Sequence, residues 1–136
     1  MYRHEVKMRV RYAETDQMGY VYYGNYATYF EVARVEALRK LGFRYKNLEE
    51  QGILMPVREL TTRYIQPAKY DDLITVKVSV KEMPDVKIIF DYEVYNEEGQ
   101  KLNTAQTTLV FVDQKTGKLT RCPRALVILF ETYFGQ

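Results

Sequence analysis

Asp16 is the residue whose type and setting point most directly to chemistry. It lies in residues 12–20 (YAETDQMGY), a polar and aromatic stretch with no sustained hydrophobic period, which predicts a loop. In a tyrosine-lined, partly dry pocket, a carboxylate is a stronger base or nucleophile than it is in water. Backbone N–H groups at the start of a following helix would stabilise a developing oxyanion, so loop and helix together suit attack on a carbonyl. The alternative interpretation is a turn or helix-capping aspartate, which is a common structural role.

Other catalytic residue types are scarce in this chain. His4 is the single histidine and Cys122 the single cysteine, so the sequence indicates neither a Ser-His-Asp nor a Cys-His site. A structural zinc site needs four N or S ligands, and no metal is predicted. Glu31, on the predicted helix, is a second candidate carboxylate, and an ion pair with Arg34 is its structural alternative. Acid–base chemistry is therefore expected from carboxylates, tyrosines or lysines.

Composition limits the classes of protein to which the chain belongs. Its 136 residues fit one domain, residues 1–136. The 20 Lys and Arg against 18 Asp and Glu give a net charge of +2 without a basic block, which argues against nucleic-acid binding. The single cysteine suggests a reducing, cytoplasmic compartment, and the alternation of charged and apolar residues over 1–10 predicts neither a secretory signal nor a membrane span. The 13 tyrosines suit a core, a half-wet pocket or a subunit surface.

Hydrophobic periodicity predicts one long helix and a set of strands. Apolar residues recur at three- and four-residue steps from about 25 to 41, where Gly42 ends the helix; a short helix is predicted at 46–51 and a closing helix after Pro123. Period-two alternation predicts strands at about 5–12, 57–66, 74–81, 88–95 and 107–112. Short turns between the last four strands predict an antiparallel meander in sequence order. The fold class predicted is α+β, with a curved antiparallel sheet of about five strands wrapped around one long central helix.

Two segments resemble signatures of a known enzyme family. Residues 12–26 (YAETDQMGYVYYGNY), with YFE at 29–31 and AR at 33–34, resemble the opening motif of the 4-hydroxybenzoyl-CoA thioesterase-like family. These are hotdog-fold acyl-CoA thioesterases, and they include the type associated with the Tol–Pal system. Residues 64–73 (YIQPAKYDDL) resemble the second signature, in which Asp71 and Asp72 are interpreted as a turn rather than a metal site. The resemblance extends over nearly the whole chain and implies the hotdog fold.

The resemblance also implies roles for individual residues. It makes Asp16 the catalytic carboxylate and the backbone N–H of Tyr23 the donor that polarises the carbonyl, at a position where many family members have histidine. Gly19 and Tyr26 are predicted to contact the substrate. The implied reaction is thioester hydrolysis without a cofactor, in which Asp16 either attacks the carbonyl or activates water.

A coenzyme A substrate carries phosphates, which Lys or Arg side chains near the pocket mouth would bind. Lys87 and Arg121 are predicted for this role because both flank predicted strand ends. The expected partners are a small-molecule acyl-CoA and further copies of the chain, as a dimer or homotetramer with the site between subunits.

Three other functions are open to the sequence. The first is a non-catalytic module that binds acyl or aromatic ligands in the same pocket, and the second is a scaffold that binds partners through its tyrosine-rich face. The third, a dehydratase acting on hydroxyacyl thioesters, is disfavoured because such enzymes use an active-site histidine and His4 is the only one here.

Overall fold

The fold is described for residues 1–134 from a computed structural model. Within these residues the α-helices are α1 (Tyr26–Leu41), α2 (Tyr45–Glu50) and α3 (Arg124–Phe134). The strands of the same residues are β1 (Tyr2–Arg9), β2 (Ile53–Leu54), β3 (Val57–Tyr64), β4 (Leu73–Val80), β5 (Lys87–Tyr95), β6 (Lys101–Asp113) and β7 (Leu119–Thr120). Short 3-10 turns at Tyr12–Glu14 and Tyr23–Asn25 connect β1 to α1.

The strands form one antiparallel sheet in the order β1-β4-β5-β6, and β3 lies beside β6 at the edge. The two-residue strands β2 and β7 pair with the carboxyl end of β6. Helix α1 lies across one face of this sheet and packs on β1 and β4. The predicted architecture, an antiparallel sheet around one long helix, is confirmed.

The core lies between α1 and the inner face of the sheet. Along β4 and β5, alternate side chains are buried against the helix, as the period-two pattern requires. Phe30 of α1 is fully buried and its ring lies 4.6 Å from the ring of Tyr92 on β5. Ala33 and Ala37, also buried, keep this side of the helix thin, so its backbone approaches the sheet closely. Gly42, with φ +107°, ends α1 in the left-handed conformation that favours glycine.

Three expectations about the sheet are wrong. Residues 1–134 contain seven strands rather than about five, because two-residue strands are too short to show a hydrophobic period. β3 and β4 do not form a hairpin: β3 pairs with β6, with Tyr64 opposite Asn103, so residues 65–72 cross from one part of the sheet to another. The bounds of two strands also differ from those predicted. β1 begins at Tyr2 rather than near residue 5. β6 begins at Lys101 rather than near residue 107, because the polar first half of β6 hides its alternation.

Candidate active site

Residues 14–22 form a small hairpin that carries Asp16 at its tip. The N–H of Tyr22 donates to the carbonyl of Glu14 at 2.9 Å, and the N–H of Asp16 donates to the carbonyl of Tyr20 at 2.8 Å. At the tip, Gly19 has φ +78° and its N–H donates to the Asp16 carbonyl at 3.0 Å. This backbone conformation favours glycine, so Gly19 has a structural reason for its identity beside the predicted substrate contact. The second leg of the hairpin runs directly into the first turn of α1.

The Asp16 carboxylate is held within its own turn. Its Oδ1 accepts hydrogen bonds from the backbone N–H groups of Met18 at 2.9 Å and Tyr20 at 3.2 Å, and the residue is partly buried. Within residues 1–134 no donor is bonded to Oδ2 of this carboxylate, which leaves one oxygen for a substrate or a water. Asp16 therefore has the turn role that the sequence allowed. It does not cap α1, whose N-cap residue is Asn25.

The start of the helix supplies hydrogen-bond donors beside this hairpin. Tyr23 and Gly24 open the 3-10 turn before α1, and in the part of the chain described their N–H groups donate to no acceptor. Such groups are left over at every helix start and carry the positive end of the helix dipole. A Cβ atom at Gly24 would lie 2.9 Å from the half-exposed ring of Tyr22, so a side chain at this position would require that ring to move.

The second sequence signature supports the first through backbone hydrogen bonds. The N–H of Val21 donates to the carbonyl of Ala68 at 2.9 Å, and the N–H of Tyr70 donates to the carbonyl of Gly19 at 3.2 Å. Within the same segment, Oδ2 of Asp72 accepts the N–H of Lys69 at 2.9 Å, which confirms the predicted turn. Residues 65–72 therefore fix the position of the Asp16 hairpin.

Tyr26, predicted to contact the substrate, is buried in a single chain. It is the first residue of α1 and is only 4% exposed, with its ring 5.8 Å from that of Tyr64. Burial raises the pKa of the Tyr26 phenol, and the backbone of Ala68 and the side chain of Asn103 oppose the effect. In a single chain Tyr26 is therefore a packing residue at the start of α1.

Glu14 is the residue of this site that sequence reasoning missed. Its carboxylate accepts hydrogen bonds from the hydroxyl of Tyr29 at 2.8 Å and from the backbone N and side-chain Nη2 of Arg11 at 2.8 and 2.7 Å. Its carbonyl also accepts Nδ2 of Asn25 at 2.8 Å. Burial acts to raise the pKa of Glu14, but the bonds from Arg11 and Tyr29 outweigh it and hold the pKa below its usual value. The only sequence signal was the Arg-x-x-Glu spacing, which is common on protein surfaces.

The family of the chain follows from its similarity to known proteins. The sequence profile of the thioesterase-like superfamily matches residues 10–129. The chain belongs to this superfamily. It is 35% identical to the putative acyl-CoA thioesterase YneP of Bacillus subtilis over 112 residues, covering 82% of this chain and 81% of YneP. It is 32% identical to the acyl-CoA thioester hydrolase YbgC of Escherichia coli over 124 residues, covering 91% of this chain and 92% of YbgC.

The superfamily assignment agrees with the three-dimensional structure. The crystal structure of a DHNA-CoA thioesterase from Staphylococcus aureus superposes with a TM-score of 0.90 at 38% identity, covering 98% of this chain and 90% of that one. The hotdog fold implied by the two signatures is therefore confirmed, with α1 as the helix that the sheet surrounds.

Two residues predicted to bind the CoA phosphates lie far from Asp16 in this thioesterase-like chain. The hairpin lies at the end of the sheet where Arg9 pairs with Leu73 and Thr75 with Tyr95. Lys87 begins β5 at the opposite end, about 26 Å from Tyr95 at a strand rise of ~3.3 Å per residue.

Arg121 lies at that opposite end too. Its Nε is 3.8 Å from Oδ1 of Asp85, and its side chain is 82% exposed. The structure therefore places Asp16 and Gly19 in one hairpin whose second leg leads directly to Tyr23, but neither Lys87 nor Arg121 lies in that hairpin or at its end of the sheet within one chain.

The proposed surface ion pair on the long helix of this superfamily member does not form. Glu31 is exposed, whereas Arg34 lies on the buried stripe of α1, where its Nη1 donates to the hydroxyl of Tyr92 at 3.5 Å. Within residues 1–134 no ion pair joins the two side chains. The i,i+3 spacing brings them near each other but does not place both on the solvent side.

Other kinds of site find little support in the described residues. No helix among them is long and apolar enough to cross a membrane. No group of three or more His, Cys, Asp or Glu side chains of residues 1–134 lies together as a metal site would require. A groove of about 1040 Å³ lies on the outer face of the sheet, between Lys77 and Gln106, and Asp16 is not part of it.

Proposed function

We propose that the chain hydrolyses the thioester bond of an acyl- or aroyl-CoA to give a free acid and CoA. The observation that carries this proposal is the hairpin itself, which leads from Asp16 to the start of α1. Among residues 1–134, one oxygen of the Asp16 carboxylate accepts no hydrogen bond, and the N–H groups of Tyr23 and Gly24 donate to no acceptor. A carboxylate and a pair of backbone donors are the parts that acyl transfer needs. The names of YneP and YbgC, a putative acyl-CoA thioesterase and an acyl-CoA thioester hydrolase, support the same reaction.

The proposed reaction proceeds through a tetrahedral intermediate. The carbonyl oxygen of the thioester points at the N–H groups of Tyr23 and Gly24, which stabilise the negative charge that develops on it. In one route Oδ2 of Asp16 attacks the carbonyl carbon, the C–S bond breaks, CoA leaves as the thiolate, and water then hydrolyses the acyl anhydride. In the other route Asp16 takes a proton from a water molecule, whose oxygen attacks the carbonyl carbon. The tetrahedral intermediate then collapses, the C–S bond breaks, and CoA leaves as the thiolate, which takes up a proton. Both routes require no cofactor.

We propose that the site is completed by a second copy of the chain. In residues 1–134 β3 pairs only with β6, so its other edge is open, and its apolar side chains Val57, Leu60 and Tyr64 are 44%, 41% and 51% exposed. Exposed strand edges of this kind pair readily with another strand. Antiparallel pairing of β3 with its copy would bring the Lys87 end of one sheet toward the Asp16 hairpin of the other. That arrangement would let Lys87 and Arg121 serve the partner's substrate, in a dimer or in a tetramer of two dimers.

A cytoplasmic location is part of the same proposal. Cys122 is a free, buried thiol, as expected in a reducing compartment.

The proposal is tested by release of free thiol from short, long, branched and aromatic acyl-CoAs. The variant Asp16→Asn keeps an oxygen that accepts the N–H groups of the turn, so we expect a folded protein with turnover reduced by at least about 1000-fold. The matched control is Asp113→Asn, because Oδ1 of Asp113 accepts the N–H groups of Lys115 and Thr116 in a similar turn. This control should retain full activity. Full activity in Asp16→Asn would exclude Asp16 from the mechanism.

The same assay separates catalysis from simple binding. If acyl-CoAs protect the wild-type protein against heat but no member of the panel is hydrolysed, the chain is a non-catalytic ligand-binding module.

A further inference from the structure

We propose that Glu14 is a positioning residue that fixes Asp16 against the start of α1, so that the carboxylate and the oxyanion donors act on one carbonyl. This inference rests on the proposed thioester hydrolysis and adds a residue that acts through Asp16 rather than on the substrate.

The backbone of Glu14 joins the two parts of the site. Its carbonyl accepts the N–H of Tyr22, the last residue of the hairpin, and Nδ2 of Asn25, the N-cap residue of α1. One oxygen atom therefore bonds to both the returning leg of the hairpin and the helix start. We expect a shift of Glu14 to move Asp16, two residues further along, relative to the N–H groups of Tyr23 and Gly24.

The side chain of Glu14 holds this backbone in place. The hydroxyl of Tyr29, one turn into α1 and only 4% exposed, donates to Oε1, while Arg11 donates to both carboxylate oxygens. Bonds to an ionised carboxylate are stronger than bonds between neutral groups, and the Glu14 side chain is only 12% exposed. Glu14 thus ties the segment before the hairpin to the helix by side chain as well as by backbone.

Glu36 provides a comparison, because it forms an ion pair at the same spacing without linking two parts of the fold. Glu36 and Arg39 form an ion pair at the same i,i+3 spacing, but both side chains are about half exposed, and the pair lies on one helix. Such surface pairs contribute little to stability and connect nothing else. The Glu36→Gln variant is therefore a matched control for loss of a glutamate charge.

The experiment compares Glu14→Gln and Glu14→Ala with Glu36→Gln in the thiol-release assay. Gln keeps an acceptor for the Tyr29 hydroxyl, whereas Ala keeps none. We expect kcat to fall about 10-fold in Gln and about 100-fold in Ala, because small displacements of reacting groups cost this much, while KM changes by less than about threefold. Glu36→Gln should match wild type. An unchanged kcat in Glu14→Ala would overturn the inference.

Two further measurements separate positioning from general destabilisation. In the Asp16→Asn background, Glu14→Ala should lower the residual rate by less than about twofold, because a residue that acts through Asp16 has no effect once Asp16 is removed. If Glu14→Ala lowers the rate in the Asp16→Asn background as much as it does in the wild-type background, the inference is overturned.

Amide hydrogen exchange of the free protein gives a readout that needs no substrate. Glu14→Ala should speed exchange of the Asp16, Gly19 and Tyr22 amides at least about 10-fold relative to amides of β4 and β5. Equal acceleration of exchange at the hairpin amides and at those of β4 and β5, or no acceleration at all, would contradict the proposal. If wild type hydrolyses no thioester, the proposed function fails, and the exchange result still decides whether Glu14 fixes the hairpin.

Discussion

Replacement of Gly19 by alanine tests whether the tip of the Asp16 hairpin depends on backbone conformation alone. Gly19 has φ +78°, and a Cβ atom at this position would meet no atom within 4 Å. The cost of the substitution is therefore conformational rather than steric. An L-residue in the left-handed region costs about 1–2 kcal/mol, and we expect the free energy of unfolding to fall by that amount. For a chain of this length, the loss corresponds to a Tm lower by about 3–8 °C.

Gly117 offers a matched comparison in a similar turn, at the opposite end of the sheet from Asp16 in the same chain. It has φ +72°, a Cβ atom there would also meet no atom within 4 Å, and its N–H donates to the carbonyl of Asp113, as that of Gly19 donates to Asp16. Gly117→Ala should therefore lose the same stability as Gly19→Ala. Only Gly19→Ala should lose activity, by about 10-fold in kcat, because relief of the strain moves the Asp16 carboxylate.

The two variants are compared by urea unfolding and by thiol release at a temperature well below both Tm values. The reasoning is refuted if Gly19→Ala is as stable as wild type, or if both variants lose activity equally. The first result would mean that the turn relaxes without cost, and the second that activity follows overall stability.

Three further predictions concern association, pH and thiol reactivity. Leu60→Lys, on the open strand β3, should convert the proposed dimer or tetramer to monomers in light scattering, whereas Thr61→Lys on the other face of the strand should not. An unchanged mass in Leu60→Lys would argue against β3 as the interface. Because the pKa of Glu14 is lowered in the folded state, its stabilisation is present above the ordinary value of 4.5 and is lost as pH falls through the lower folded value. Urea unfolding should therefore show a deficit for Glu14→Gln that is full at pH 7 and shrinks below about pH 4; a constant deficit would contradict this. Burial, with a smaller effect of Asp85, raises the pKa of Cys122 to about 12, so iodoacetamide at pH 8 should label Cys122 only after unfolding, and rapid native labelling would be inconsistent with it.

The elements predicted best from the sequence are those that bury one face and expose the other. α1 was expected at about 25–41 and forms at Tyr26–Leu41, and β4 and β5 lie within one residue of their expected bounds. In each case alternate or every third to fourth side chain is buried, and this burial is the origin of the hydrophobic period. Assignment to a thioesterase family, made from two segments of the sequence, is confirmed by the superfamily profile.

Pairing between distant strands could not be predicted in the same way. The pattern of β3 indicates a strand but contains no information about its neighbour, and β3 pairs with β6 rather than with the next strand in the sequence. Likewise, Lys87 was expected near the substrate because it flanks a strand, but period-two alternation does not reveal which end of the sheet a strand end will occupy. Strand pairing and the end of the sheet at which a residue lies are both long-range features, which a local pattern does not reveal.

The predictions about the site also separate into local features, which the sequence shows, and long-range contacts, which it does not. The sequence indicated Asp16 in a loop before the helix, and that placement is local. The role of Glu14 depends on Tyr29 and Asn25, which approach it only after the chain has turned back through the hairpin into α1. A pattern of residue types does not predict hydrogen bonds between residues that are separated in the sequence.

The sheet is what makes two distant segments of the chain one site. β1 leads into the Asp16 hairpin, and β4 follows residues 65–72, so the pairing of Arg9 with Leu73 holds both segments at one end of the sheet. The N–H of Val10 donates to the carbonyl of Asp72, and the N–H of Asp71 donates to the carbonyl of Val10, so the ladder continues into the connecting segments themselves. Closing a long loop costs conformational entropy, and the β1–β4 pairing offsets most of that cost because it already brings the two segments together. The hydrogen bonds that the hairpin makes with residues 65–72 then need to order only a few residues, which explains how an irregular loop holds a carboxylate in one place.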